Sequence, residues 1–265
     1  MAKAIYLDST WDSGFMEGKI AKQEYSTDWL FLKPDHFIHT HYPERPNQQL
    51  LEKTLTSKQF IELPFFKPKL FEIAGSMPIG LKRINQVDNS FSFSFIQKES
   101  YALVFNVYDT KTGKKVENST FVQNEGANQI VNFSFPSQGQ YIVTIFWRKA
   151  GSKAGEDCGE FIVEAASANL IQYPTTYDSS GKGLQIIRPI EMPLKRGASY
   201  TFKVRVDNKK VVAIIHGSTF IQLIQGESGV FSIEYKIPAG INSLMIGIAD
   251  SERGRYESIA KYIVK

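Results

Sequence analysis

The chain has 265 residues, of which 42% are hydrophobic and 13% are aromatic. This apolar content excludes general disorder, and the length favours roughly two or three folded units. The formal net charge is only +4, and the basic residues are scattered in pairs, so the sequence predicts no nucleic-acid partner. The only cysteine, Cys158, excludes an internal disulfide framework and a cysteine-rich zinc site.

No apolar run in the sequence is long enough to cross a bilayer, so no membrane-spanning helix is predicted. The N-terminus lacks a basic stretch followed by an apolar core, which is the pattern of a signal peptide. We therefore expect a protein without a membrane partner. The expected compartment is the cytoplasm.

The first notable stretch is residues 4–14, in which a short apolar run is followed by Asp8, Trp11 and Gly14. A carboxylate at the exit of a buried strand is where papain-like enzymes keep the acid that orients a catalytic histidine. Asp before a glycine turn is also common as a simple turn cap. From these residues alone, both interpretations stay open.

The next segment predicts short elements separated by prolines. Strands are expected at residues 19–23 and 28–32, a short helix from Pro34 that Pro43 bars from extending, and a capped helix over residues 56–63. His36, His39 and His41 beside Asp35 could suggest a metal site. Histidine is more often structural, and no companion Cys or Glu cluster accompanies these residues, so no metal and no cofactor are predicted.

From about residue 80 the pattern changes to short alternating strands with regular spacing. Phe91–Phe95 alternates aromatic and polar residues strictly, as a half-buried strand does. The same pattern of short alternating strands repeats after a turn-rich passage at residues 173–183. We predict a mainly β chain with two tandem immunoglobulin-like β-sandwiches, preceded by a small α+β unit. Further strands are expected at 101–108, 129–135, 140–147, 160–164, 184–187, 199–206, 210–215, 219–224, 230–235, 243–248 and 259–264.

Several ordered motifs resemble a known family. The run Tyr6-Leu-Asp8-Ser-Thr-Trp11-Asp-Ser-Gly14 resembles the acidic motif of transglutaminase-like cysteine peptidases. Segments 28–35, 37–44, 49–51 and 63–71 resemble the segments that come after that motif in the kyphoscoliosis peptidase family. The repeated sandwiches resemble the immunoglobulin-like domains of that family, most closely through residues 173–177, 184–189, 193–197 and 229–231.

This resemblance implies that Asp8 is the acid of a Cys-His-Asp triad, with Trp11 and His41 as supporting residues. In the family, the cysteine and the histidine lie upstream of the acidic motif, and only seven residues precede Asp8 in this sequence. The acid is therefore expected to have no imidazole to orient. Cys158 lies about 150 positions downstream, and we expect it to be an incidental loop or edge residue.

By the same resemblance, residues 1–75 would be the C-terminal portion of a transglutaminase-like core with a helical connector. Residues 80–167 and 172–265 would be the two sandwiches. The expected function is a non-catalytic protein-interaction region with cytoskeletal partners, and the oligomeric state is open. The first alternative is a fragment of an active cysteine protease or transamidase whose Cys and His lie upstream. The second is an extracellular sugar- or surface-binding sandwich.

Overall fold

The computed structural model describes residues 6–17, 19–23, 27–76, 78, 80–98, 101–125, 128–149, 152, 155–169, 171–177, 185–206, 211–251 and 254–265. Parts of the expected strands at residues 4–7, 184–187 and 210–215, and of the turn-rich passage 173–183, lie outside the described residues. None of the helices in the described ranges is long and apolar enough to cross a membrane.

The N-terminal unit, residues 6–62, contains a hairpin and short helices. Strands β1 (Gly14–Glu17) and β2 (Ile20–Gln23) pair with each other, and helices α1 (Pro34–Phe37) and α2 (Ser57–Glu62) follow. Thr56 caps α2 through a capping box with Gln59, which is the helix start that the sequence predicts. The strand expected at residues 28–32 is wrong, because Phe31 has a φ of +59° and only Leu32 forms a β-bridge, to Tyr6.

The first sandwich contains two sheets packed around an aromatic core. The chain adds strand β3 (Phe65–Phe66), helix α3 (Pro68–Ile73), and strands β4 (Ala74–Ser76), β5 (Ile84–Val87), β6 (Ser90–Gln97), β7 (Tyr101–Asp109), β8 (Thr120–Glu125), β9 (Asn128–Ser134), β10 (Gly139–Lys149) and β11 (Glu156–Ala165). One sheet has the order β4-β6-β9-β8, and the other has the order β3-β11-β10-β7, with β5 parallel to β11.

This arrangement is that of an immunoglobulin constant-type domain. Constant-type domains have strands A, B, E and D in one sheet and C, F and G in the other. If the short β5 is left out, β4, β6, β9 and β8 correspond to A, B, E and D, and β7, β10 and β11 correspond to C, F and G. Tyr141, at the start of β10, is buried, and its hydroxyl donates to the Ser137 carbonyl at 2.8 Å. This is the tyrosine corner that such domains share.

The second sandwich has a four-stranded sheet of the same order, and its other sheet carries an additional edge strand. It contains strands β12 (Thr175–Thr176), β13 (Gln185–Arg188), β14 (Ser199–Arg205), β15 (Val211–His216), β16 (Thr219–Gln222), β17 (Ile224–Gln225), β18 (Val230–Lys236), β19 (Ser243–Ala249) and β20 (Glu257–Ile263). The sheets are β13-β14-β18-β17 and β12-β20-β19-β15-β16. The predicted fold class, mainly β with two tandem immunoglobulin-like sandwiches, is confirmed.

The segment between α2 and residue 80 joins the N-terminal unit to the first sandwich. The sequence predicts an apolar connector there, but β3 pairs with β11. Gly159 permits this pairing, because a Cβ atom on it would lie 2.7 Å from the Phe65 carbonyl oxygen. A Lys67–Asp157 ion pair of 2.7 Å and a hydrogen bond from Arg83 Nε to the Leu63 carbonyl add to the joint. The first sandwich therefore includes two strands, β3 and β4, that begin within residues 1–75, which the sequence assigns to the preceding unit.

Candidate functional site

Asp8 lies in a tight turn at the start of the described chain. Its backbone N–H donates to the Trp29 carbonyl at 3.1 Å, and its carbonyl accepts from the Asp12 N–H at 3.2 Å. One carboxylate oxygen, Oδ1, accepts from the Thr10 N–H at 2.8 Å, which is the turn-capping role open to an Asp. The turn leads into a short 3-10 helix, Trp11–Ser13.

The second carboxylate oxygen has a different partner. Oδ2 of Asp8 lies 2.9 Å from Nε2 of His41, so the expectation that this acid has no imidazole to orient is wrong. The physical reason is the turn after α1, which returns residue 41 to Asp8 across 33 positions of sequence. The two roles open to Asp8, turn cap and histidine partner, are thus divided between its two oxygens.

Both nitrogens of His41 are engaged. Nδ1 lies 2.8 Å from the hydroxyl oxygen of Thr40, which is also 3.1 Å from the Phe37 carbonyl. Because a carboxylate can only accept, Nε2 must carry the proton, and the neutral imidazole then accepts at Nδ1. Burial lowers the pKa of His41, and the Asp8 carboxylate offsets part of that effect. The imidazole is therefore held in its neutral form, with one hydrogen bond at each ring nitrogen.

Aromatic rings fix the position of this imidazole. Phe37 stacks on His41 with centroids 4.2 Å apart, and Tyr6 stacks on the other face of Phe37 at 4.4 Å. Trp29 meets His41 edge-on at 5.4 Å, and the Trp29 backbone N–H donates to the buried Asp12 carboxylate. Sequence reasoning missed these residues. The signal that could have found Phe37 is its four-residue spacing from His41, which places both on one face of a helical turn.

The other two histidines have partners other than Asp8. His39 Nδ1 lies 2.9 Å from the Pro64 carbonyl, and His36 stacks on Phe71 with centroids 4.3 Å apart. No group of three or more His, Cys, Asp or Glu residues within the described ranges could hold a metal ion. The three imidazoles of this segment thus serve packing and hydrogen bonding. Trp11 contributes its backbone to the 3-10 helix, and its side chain lies outside the described part of the structure.

Cys158 is not the loop or edge residue that the sequence suggests. It lies on β11, between β10 and β3, and its side chain is fully buried in the core of the first sandwich. Its Sγ lies 3.4 Å from the Ile145 carbonyl. Burial, with the nearby Asp157 charge, raises the pKa of the thiol to about 12. A thiol in this setting is a packing residue, because the reactive form is the thiolate.

The histidines of the N-terminal unit predict a loss of its stability in acid. Burial lowers the pKa of His36, His39 and His41 below the ordinary value of about 6.5. The unfolded segment therefore binds protons more readily, and stability present above about pH 6.5 is lost as the pH falls below it.

Hydrogen exchange at pH 7 and pH 5, corrected for intrinsic rates, measures this effect. We expect protection in peptides from residues 28–42 to fall, whereas peptides from β6 and β9 are an internal control because the first sandwich contains no histidine. Equal changes in both sets of peptides would contradict the prediction.

The fold defines a tandem immunoglobulin-like β-sandwich protein with a small α+β unit. No protein-family model matches the chain, and no curated protein matches it. Among solved structures, the chain is similar to the Bacteroides ovatus mixed-linkage glucan utilization locus SGBP-B in complex with a heptasaccharide. The identity is 15%, the TM-score is 0.21, and the match covers 69% of this chain and 42% of that one.

Titin domains give similar matches. The z1z2 pair in complex with telethonin is 12% identical with a TM-score of 0.21, covering 69% of this chain and 91% of that chain. The three-domain I67-I69 structure is also 12% identical with a TM-score of 0.21, covering 69% and 62%. Likenesses of this strength support no conclusion about function.

Proposed function

We propose that this chain is a non-catalytic protein-interaction region of a transglutaminase-like protein of the kyphoscoliosis peptidase type, with cytoskeletal partners in the cytoplasm. The observation that carries the proposal is the hydrogen-bonded pair of Asp8 and His41. The acid that the family uses to orient a catalytic base is hydrogen-bonded to His41 at 2.9 Å, and the other nitrogen of that ring lies 2.8 Å from Thr40.

The chemistry of thiol acyl transfer supports the non-catalytic assignment. That chemistry needs a thiolate within hydrogen-bond reach of an imidazole base. The only thiol of the sequence, Cys158, is fully buried on β11, and burial raises its pKa to about 12. At neutral pH such a thiol is only on the order of one part in 10⁵ ionised. Cys158 is therefore unsuited to act as the nucleophile of thiol acyl transfer.

The joint between the sandwiches supports a binding role, because a rigid tandem presents loops and edges in a fixed arrangement. Phe121 of β8 stacks on Tyr173 with centroids 5.6 Å apart. The Gln123 side chain donates to the Ile186 carbonyl at 2.7 Å, and Thr175 donates to the Asn118 side chain at 3.0 Å. A partner that spans both domains would meet a preformed surface.

The catalytic part of the proposal is tested by amine incorporation into a glutamine-containing peptide and by casein hydrolysis. We expect no turnover above the blank for the wild type, Cys158→Ser or Asp8→Asn. Thiol-dependent turnover that Cys158→Ser abolishes would refute the non-catalytic assignment.

The cytoskeletal part is tested separately by co-sedimentation with actin filaments and with microtubules. We expect saturable recovery of the chain in one of the two pellets. Recovery in neither pellet would refute this partner class without bearing on the catalytic result.

A second candidate function is that these residues belong to an active cysteine protease or transamidase whose cysteine and histidine lie upstream. The observation that favours it is the apolar surface of the N-terminal unit, where Leu7, Met16, Ile20 and Phe31 are each 58–68% exposed. Core residues of a larger domain would cover such side chains. Expression with in-frame upstream coding sequence tests it, since transamidase activity that Asp8→Ala abolishes would establish this alternative.

A further inference from the structure

One segment of the second sandwich forms the outer edge of both of its sheets. Strand β16 pairs with β15 in one sheet, and β17 pairs with β18 in the other. Between them the chain crosses at Leu223, whose side chain is buried and whose N–H donates to the Val212 carbonyl at 2.8 Å. We call residues 219–225 the crossing edge.

The backbone of β16 has an open side. A two-residue turn at Gly217 and Ser218 connects β15 to β16 and pairs His216 with Thr219. In an antiparallel pair of strands, every second residue forms backbone hydrogen bonds to the neighbouring strand, and the residues between have backbone groups that point the other way. Thr219 and Ile221 therefore bond to β15, while the N–H and carbonyl groups of Phe220 and Gln222 point outward. Within the described part of the chain, no strand other than β15 pairs with β16.

The side chains of the crossing edge are unusual for an open strand. Phe220 is 51% exposed and Ile224 is 72% exposed. Residues 217–226 contain no charged residue and no proline, whereas natural proteins usually protect open edges with lysine, proline or a covering element. In the first sandwich, by comparison, residues 114–116 bond along the outer edge of β7, with hydrogen bonds between Val116 N–H and the Val107 carbonyl and between Asp109 N–H and the Lys114 carbonyl.

We propose that the crossing edge pairs with the same edge of a second copy of this chain. Antiparallel pairing about a two-fold axis at Ile221 places Phe220 opposite Gln222 of the partner subunit, so that the outward backbone groups of both copies are satisfied. The absence of charge removes the like-charge repulsion that normally disfavours self-pairing. An edge without charged residues also has no group that would attract an acidic or a basic peptide, so a second copy fits this edge better than a charged segment does.

Because β16 and β17 end both sheets on the same side of the sandwich, such a dimer would bring both edges to the interface. The exposed Phe220 ring lies 5.2 Å from Tyr256, centroid to centroid, and forms an aromatic pair on the face beside the axis. Pairing would cover apolar surface as well as backbone groups.

Sedimentation equilibrium of the full chain over a wide concentration range tests the proposal. We expect a reversible monomer–dimer equilibrium in the wild type. Phe220→Lys should weaken self-association at least about tenfold, because two ammonium groups would flank the axis. Thr201→Lys is the matched control, since Thr201 is exposed on β14, which has a neighbour on each side. A wild type that stays monomeric, or a dimer that Phe220→Lys leaves unchanged, would overturn the proposal.

A cross-linking experiment covers the case in which Phe220→Lys does not fold. Ile221 of the two copies would face each other as a non-hydrogen-bonded pair, whose Cα separation of about 4.5 Å suits a disulfide. We expect Ile221→Cys to form a covalent dimer under mild oxidation and Thr201→Cys to remain monomeric. Buried Cys158 should not interfere. Equal cross-linking of the two variants would count against pairing at this edge.

Discussion

Replacing Phe133 by alanine should destabilise the first sandwich by about 3–5 kcal/mol, the range measured for truncating a fully buried phenylalanine. The side chain of Phe133 has no exposed surface, and its ring lies within 5.7–6.1 Å of four other phenylalanine rings, centroid to centroid. These belong to Phe91, Phe93, Phe105 and Phe161. Truncation would leave a cavity in the layer where the two sheets meet, because stiff aromatic neighbours on both sides cannot collapse into it.

The change should be measured by urea unfolding read through hydrogen exchange of peptides from β9 and β10, which separates this sandwich from the other. Ile96→Ala is the matched control, since Ile96 lies on the same sheet but is 44% exposed. We expect the control to change the free energy of unfolding by less than about 1 kcal/mol. A similar loss for both variants would mean that the aromatic layer is not the centre of the core.

Replacing Phe121 by alanine should uncouple the two sandwiches and lower stability by about 3 kcal/mol. Phe121 lies on β8 of the first sandwich, yet it is 2% exposed and belongs to the hydrophobic cluster of the second. Its ring stacks on Tyr173 with an interplanar angle of 11°. Without the ring, the joint keeps hydrogen bonds such as that of Gln123 to Ile186 but loses its apolar centre.

Calorimetry and small-angle X-ray scattering measure the two consequences. We expect the unfolding transitions of the sandwiches to separate and the radius of gyration to increase. Val122→Ala is the matched control, because Val122 is the next residue on β8 and packs against the core of the first sandwich instead. It should lower the stability of that sandwich and leave the domain arrangement unchanged. If Phe121→Ala gave the same scattering curve as Val122→Ala, the joint would not depend on this ring.

The N-terminal unit illustrates how far local sequence signals reach. The capping box at Thr56 and Gln59 acts within one helical turn, so the sequence predicts α2 correctly. The segment at residues 28–32 has strand-like composition, but Phe31 adopts a positive φ and Trp29 turns inward against His41. Composition does not reveal such a turn, because contacts with Tyr6 and His41 decide it.

The candidate site shows the same division. Asp8 and His41 could each be singled out from sequence, but their 2.9 Å contact could not, because it depends on how the turn after α1 folds back over the first strand-like residues. The location of Cys158 also could not be predicted without the tertiary structure. Its neighbours Gly155 and Gly159 suggest a loop, whereas Gly159 is there to let β3 approach β11.

The mainly β fold and the tandem repeat could be predicted from the sequence, because alternation of apolar and polar residues is a local property that persists wherever one face of a strand is buried. Which faces are covered is seen only in the folded chain. Phe121 points away from its own core and is buried by the neighbouring domain, residues 219–225 are divided between two sheets, and Asp8 has an imidazole partner. Each of these depends on contacts between residues distant in the chain, which a local pattern does not encode.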